Sequence, residues 1–237
     1  MFIIKQILGY VRRAVQDYDM IQEGDRIAVG VSGGKDSLTL LVALRRLQHF
    51  FPIKYELEAV TLTMGIGEFN TAPIRELCSE IGVNYTVEET LIGKIIFEAR
   101  QEKNPCSLCA NMRRGALHNV AKRLGCNKVA LGHHKDDAIE TLMLSLLYEG
   151  RISTFSPVTF LDRKELHLIR PLIYAQEKEI KGFIKSEGIR TVKSACHIDG
   201  KTKRQYIKDL LRELSIENRD VKNNIFGAIQ RSHISHW

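Results

Sequence analysis

The sequence predicts a doubly wound α/β fold, and three observations predict it. Short apolar runs rich in β-branched residues alternate with segments of helical spacing. A glycine-rich string, "SGGKDS", stands between the first such run and the helix that follows it. A second polar string, "GHHKDD", follows the fourth run in the same way. Such alternation lays strands side by side in a mostly parallel, five-stranded, Rossmann-like sheet with helices on both faces. It also sets both polar strings at carboxyl ends of strands, where ligands of open sheets bind.

The elements follow in order. "MFIIKQILGYVRR" has no basic n-region and no small-residue cleavage site, and reads as an amphipathic helix within an N-terminal segment, residues 1–22. "DRIAVGV", Asp25 to Val31, is the first strand. After the loop, Leu40, Leu44, Leu47 and Phe51 recur at helical spacing. "YELEAVTLT" is a strand, "TAPIRELCSEIG" a helix closed by Gly82, and "VNYTVEE" a third strand. A helix with Leu117, Val120, Ala121 and Leu124 on one face leads to the fourth strand, "NKVALGHH". The next helix places Ile139, Leu142, Met143, Leu146 and Leu147 in one stripe, expected to be buried. "HLIRPL" is the fifth strand, and the remainder is mostly helical. No shift of composition marks a linker. The expectation is one domain over 1–237, with a core over 24–175 and a helical C-terminal extension over 176–237. The tail "RSHISHW" reads as a frayed end.

Composition narrows the possibilities. In 237 residues, 44% are hydrophobic, enough for a sizeable core. The apolar runs, such as "LSLLY", fall far short of the ~18 residues that a membrane span needs. Thirty-five basic and 28 acidic residues give a net charge of +7, which suits a polyanionic partner. Nothing points to export, so the five cysteines read as thiols or ligands of a cytoplasmic protein and not as a disulfide framework.

The first polar string is built for an anion. Gly33 and Gly34 let the backbone turn its N–H groups inward, Ser32 and Ser37 add hydroxyls, and the helix N-terminus adds its dipole. A Walker A loop requires G-x-x-x-x-G-K-[ST]. Here Asp36 follows Lys35, and the earlier glycine position falls on Val29, so that kind of γ-phosphoryl transfer is disfavoured. A carboxylate beside phosphates is repulsive unless a cation lies between them. Asp36 therefore implies Mg²⁺ held jointly by carboxylate and phosphate oxygens. Taken alone, Asp36 could equally be a first-turn acid favoured by the helix dipole.

"SGGKDS" resembles the PP-loop of the N-type ATP pyrophosphatases, and "LGHHKDDAIETLMLSLLYEG" is similar to their second signature. The resemblance implies an adenine nucleotide alpha hydrolase-like fold, with ATP cut between its α- and β-phosphates and AMP passed to a substrate oxygen. Ser32, Gly33, Gly34, Lys35, Asp36 and Ser37 are then expected on ATP, joined by Gly132, His133 and Asp137. Which of His133, His134, Asp136 and Asp137 touches nucleotide or metal stays open. In a bland reading, Asp136 and Asp137 only begin a helix.

The cysteines sharpen the comparison. "NPCSLCANMRRGAL" sets Cys106 and Cys109 at C-x-x-C spacing, and "KSACHID" holds Cys196. By itself the pair fits a redox couple, half a zinc site completed by Cys196 and His197, or part of an iron–sulfur site. Cys78 and Cys126 read as small buried hydrophobes. With "CSLCANMRRGAL" and "IRPLIY", the chain looks like the tRNA 2-thiocytidine synthetases of the PP-loop superfamily, from roughly Gly24 to Leu214. It departs from them in reading Thr63-Met64 at the end of strand two, and in lacking a second C-x-x-C around Cys196.

That resemblance implies a [4Fe–4S] cluster on Cys106, Cys109 and Cys196, with one iron free to present sulfide. A cytidine of the anticodon loop, position 32, would be adenylated and its C2 oxygen replaced by sulfur. The expected partners are tRNA, a sulfur donor such as a cysteine desulfurase, and a second copy in a homodimer. Arg113 and Arg114 are candidates for RNA phosphates. So are Lys201, Arg204, Lys208 and Arg212, a basic stripe opposite the apolar Ile207, Leu210, Leu211 and Leu214. The rivals are a thiolase for another pyrimidine such as uridine, and a zinc-stapled protein that binds ATP and RNA without catalysis. A lysidine synthetase shares the loop but leaves three cysteines unexplained.

Overall fold

The computed structural model describes residues 2–100, 105–192 and 203–237. At its centre is a sheet of β1 (Asp25–Gly30), β2 (Tyr55–Leu62), β3 (Asn84–Glu88), β4 (Lys128–Ala130), β5 (Val158–Leu161) and β6 (Leu166–Ile169). The order across the sheet is β3-β2-β1-β4-β6-β5. Every neighbouring pair is parallel except β5 and β6. Among the described residues the sheet thus has six strands, not the expected five. "HLIRPL" supplies β6, and the strand missed is β5. That strand is a four-residue edge with no fully buried position, and its Val-Thr-Phe-Leu is too short a run to stand out.

Helices α1 (Phe2–Asp17), α2 (Lys35–Leu47) and α3 (Ala72–Ile81) pack on one face of the sheet with α7 (Glu177–Ser186). A short α4 (Ile92–Lys94) precedes α5 (Pro105–Arg123), which covers the other face. Strand alternation sorts the core. Ile27 and Val29 turn toward Leu40, Leu41 and Leu44, while Ala28 and Val129 turn toward Leu117, Val120 and Ala121. Helices α6 (Lys135–Leu144), α8 (Lys203–Glu217) and α9 (Val221–Arg231) pack against one another beside the first layer.

Two expectations about packing need correction. Ile139 and Leu142 are buried as the stripe requires, but Leu146 and Leu147 are 41% and 54% exposed. Helix α6 gives way at Ser145–Glu149 to a π-helical turn, whose wider period carries the next residues off the buried face. Leu214 is likewise exposed, beyond the contacts made by Ile207 and Leu211. The tail is docked rather than frayed. Trp237 Nε1 donates to the Phe155 carbonyl at 2.9 Å, and its ring meets Phe226 edge-on at 5.3 Å.

The strand order positions the site. β2 and β3 lie on one side of β1, and β4 and β6 on the other, so the topology reverses between β1 and β4. The loops leaving these two strands carry the two polar strings, facing one crevice. No helix among the described residues is long and apolar enough to cross a membrane.

Candidate functional site

The loop after β1 is pinned by its own side chains. Ser37 Oγ accepts from the Ser32 N–H at 3.1 Å and donates to the Gly34 carbonyl at 3.0 Å. Gly33 holds φ at +78°, and a methyl group there would lie 2.8 Å from the Val192 Cβ. Only glycine meets both demands. Gly34 is extended and hands over to α2 at Lys35, leaving the N–H groups of the first turn at the crevice.

The second string closes on the first. A methyl on Gly132 would stand 3.0 Å from the Asp36 carbonyl carbon and the Ser37 nitrogen, so the two backbones touch. His134, 2% exposed, places Nε2 at 3.5 Å from Asp36 Oδ1 and at 3.4 Å from Asp137 Oδ2. Asp137 also accepts from the His134 backbone N–H at 3.0 Å, which caps α6. Asp136 faces away from the crevice and takes Lys222 Nζ at 2.7 Å and the Glu177 N–H at 2.8 Å. Burial pushes its carboxyl pKa up, but the Lys222 and backbone hydrogen bonds outweigh that and lower it. Asp136 thus holds α6, α7 and α9 together, and Asp137 is the member of the pair at the crevice. Asp36 Oδ1 is buried with no hydrogen-bond partner among the described residues, an arrangement that suits a hard cation.

The two strings line one cavity of about 410 Å³, although Gly33, Gly34, Lys35, His134 and Asp136 are not part of its wall. Ser32, Asp36 and Ser37 form one wall, and Gly132, His133 and Asp137 the next. His133 is exposed and lines the cavity, with its ring 5.0 Å from that of Phe155. Desolvation and then the Arg170 cation push its pKa below the usual histidine range, so it is neutral at neutral pH. The third wall is α5, which contributes Ala110, Arg113, Arg114 and Leu117. Both arginines are exposed.

The same α5 begins with the cysteine pair. Cys109 is half-buried, and its neighbour Ala110 lines the cavity. Of Cys106 only the backbone is described, and Cys196, His197 and Lys201 lie outside the described residues. The described flanks of Cys196 both reach the site. Val192 donates its N–H to the Gly33 carbonyl at 2.9 Å, and Arg204 approaches Asp137 at 3.6 Å. Cys78 and Cys126 are buried, and burial raises each thiol to about 11.

The basic stripe divides. Arg204 faces Glu140 at 3.3 Å, and Lys208 stands between Glu140 at 3.8 Å and Glu177 at 3.7 Å. Arg212 is largely exposed and lies 3.5 Å from Asp209. Arg204 and Lys208 thus dock α8 against α6 and α7, and are not an open row.

Sequence reasoning missed both carboxylates of that dock. Glu177 also binds Lys35 Nζ at 3.2 Å, beside the 2.9 Å contact from Asp36. Burial pushes Glu177 up, yet Lys35, Lys208 and Lys181 together bring its pKa down to about 2. Glu140 goes the other way. Burial dominates its two cations and raises it to about 7. Their signal was weak, because Glu177 reads as a first-turn helix acid and Glu140 as one charge in an apolar stripe.

Comparison with known proteins follows the same lines. Residues 7–214 match the PP-loop domain family. A tRNA-cytidine(32) 2-sulfurtransferase of Pelobacter propionicus is 40% identical over 237 residues, 99% of this chain and 88% of that one. The enzyme of that name from Geobacter sulfurreducens is 42% identical over 228 residues, 95% of this chain and 89% of its own. Among solved structures, the U34-tRNA thiolase NcsA from Methanococcus maripaludis with its [4Fe-4S] cluster superposes with a TM-score of 0.79 at 25% identity. That match covers 97% of this chain and 78% of that one.

Proposed function

Because the chain belongs to the PP-loop family and, within it, to the tRNA-cytidine(32) 2-sulfurtransferases, we propose that it uses ATP to replace the C2 oxygen of cytidine 32 in tRNA with sulfur. The observation that carries this reading is the single cavity shared by the phosphate loop, the second string and the helix begun by the C-x-x-C pair. Activation and sulfur delivery then have one place to meet.

The chemistry divides into two steps. A pyrimidine carbonyl oxygen is a poor leaving group. The cytosine O2 attacks the α-phosphorus of ATP, the α–β phosphoanhydride bond breaks, and pyrophosphate departs. Sulfide then attacks C2, and AMP leaves with the oxygen. The loop N–H groups, Ser32 and Ser37 hold phosphate oxygens. Lys35, balanced by Asp36 and Glu177, supplies a cation that a triphosphate competes for. The unpaired Oδ1 of Asp36 suits Mg²⁺, and His133, neutral, and Asp137 face the nucleotide from the second wall.

Cys106, Cys109 and Cys196 are the thiolates proposed to hold a [4Fe–4S] cluster. Cys109 stands beside the cavity, whereas Cys78 and Cys126 are buried with raised pKa values. When bound, such a cluster offers one iron without a protein ligand, where sulfide can be carried. Arg113 and Arg114 offer exposed cations to RNA phosphates. The reading places the protein in the cytoplasm, supplied with sulfur by a donor such as a cysteine desulfurase.

A second reading, thiolation of a uridine, rests on the likeness to the U34-tRNA thiolase. One experiment tests both. Anaerobically reconstituted protein is given ATP, Mg²⁺, sulfide and a tRNA transcript, and the nucleosides are analysed by mass. Cleavage of ATP into AMP and pyrophosphate with formation of 2-thiocytidine supports the first reading, and of 2-thiouridine the second. No thionucleoside of either kind defeats both.

A further inference from the structure

Beyond the cavity, α6 ends in an exposed shelf. The π-helical turn Ser145–Glu149 turns Leu147 and Tyr148 outward, 54% and 43% exposed, and Ile152 follows at 68%. The shelf is built rather than loose. Gly150 caps it in the left-handed region, the Arg151 N–H returns to the Ser145 carbonyl at 3.1 Å, and the Ser145 and Ser153 hydroxyls meet at 2.9 Å. Departures of this kind from α-helical period recur at functional sites.

Cations border the shelf. Lys203 Nζ lies over one face of the Tyr148 ring, 4.6 Å from its centre, and Arg151 is 71% exposed and pairs with Glu149 at 2.7 Å. Tyr206, 58% exposed, is one turn along α8 from Lys203 and so shares its side of the helix. The shelf is continuous with the site. Arg204, next to Lys203, reaches Asp137 at the cavity. Along the helix, Tyr148 stands about 20 Å from Lys135 at the site end of α6.

Resting on the tRNA reading above, we propose that Tyr148 and Tyr206 form a stacking platform for unpaired bases of the tRNA anticodon loop, with Lys203 and Arg151 taking the adjoining phosphates. Exposed aromatic faces bordered by cations suit single-stranded RNA. Every base has a π-face, and loops are read where their bases unstack. The separation from the cavity assigns the stacked base to a neighbour of the target, held while the target enters. The net charge of +7 favours a polyanion over a second basic copy of the same chain at this surface.

The test uses the holo protein and a labelled anticodon stem–loop, with binding followed by fluorescence anisotropy. Tyr148→Ala and Tyr206→Ala should each weaken binding about tenfold, while Tyr148→Phe and Tyr206→Phe stay near wild type because the ring remains. ATP binding and thermal melting should not change. If the wild type binds the stem–loop and the alanine variants bind equally well, the platform is refuted and the thiolation reading stands. A shift of oligomeric state in those variants, with RNA affinity intact, would assign the shelf to self-association instead. Wild-type protein that binds full-length tRNA but not the stem–loop refutes the platform alone, and protein that binds neither overturns the functional reading as well.

Discussion

His134 Nε2 lies 3.5 Å from Asp36 Oδ1 without hydrogen-bonding it, where the second polar string meets the phosphate loop. Two segments about a hundred residues apart in sequence thus meet at the topological switch of one sheet, where Gly132 abuts the Asp36–Ser37 backbone, and both face the cavity in which ATP is proposed to bind.

Asp36→Asn keeps the shape but removes the charge that Mg²⁺ needs. Formation of AMP and pyrophosphate should fall by at least ~100-fold, roughly 2.7 kcal/mol of transition-state stabilisation, with melting and iron content unchanged. Undiminished AMP formation in a coupled pyrophosphate assay would remove Asp36 from the metal role.

Gly132→Ala presses a methyl group against the Asp36–Ser37 backbone. ATP affinity should drop about tenfold or more, a change of at least ~1.4 kcal/mol. Gly9→Ala is the control. It lies in α1 with nothing near its Cβ position, and should raise stability by about 0.5–1 kcal/mol without touching ATP binding. Calorimetric titration and melting read the two effects separately.

Glu140 carries a pH signature. Its native pKa is raised to about 7, so the native state keeps a proton that the unfolded chain releases near 4.5. Stability therefore declines as pH rises from about 4.5 and the loss is complete above about 7. Glu140→Gln removes this titration. The stability of the variant relative to wild type should increase between pH 5 and pH 8 in urea melts, and a difference that stays flat with pH would contradict the assignment.

The two groups of arginines should part company. Arg204→Glu sets like charges beside Glu140 and Asp137 and should cost about 1–2 kcal/mol of stability. Arg113→Glu with Arg114→Glu should leave melting alone and weaken tRNA binding. The log–log salt dependence should flatten by about 1.4, two contacts to a single strand. Melting curves and salt titrations distinguish these outcomes.

Metal analysis of anaerobic protein sorts the cysteines. Alanine at Cys106, Cys109 or Cys196 should abolish bound iron, whereas alanine at Cys78 or Cys126 should not. His197→Ala should keep iron and activity. A zinc-loaded, colourless protein that loses its metal with His197→Ala would replace the cluster by a structural zinc site.

Much of this was legible in the sequence because it is local. Strand, glycine pair and helix onset are written within Asp25–Leu47, and Gly33 and Gly132 sit where backbone approach demands glycine. What was not legible depends on distance or exposure. β5 is a four-residue edge with no fully buried position. The outward turn of Leu146 and Leu147 arises from a change of helical period that their spacing conceals. Glu140 and Glu177 gained their roles only when folding brought α6, α7 and α8 together around Lys35, Arg204 and Lys208.

The most direct test of the central claim is mass spectrometry of tRNA nucleosides from cells with and without this gene. The account predicts 2-thiocytidine in the parent, its loss in the deletion strain, and its return when the gene is restored but not when the Asp36→Asn variant is supplied. Unchanged 2-thiocytidine in the deletion strain, or loss of 2-thiouridine in its place, would contradict it.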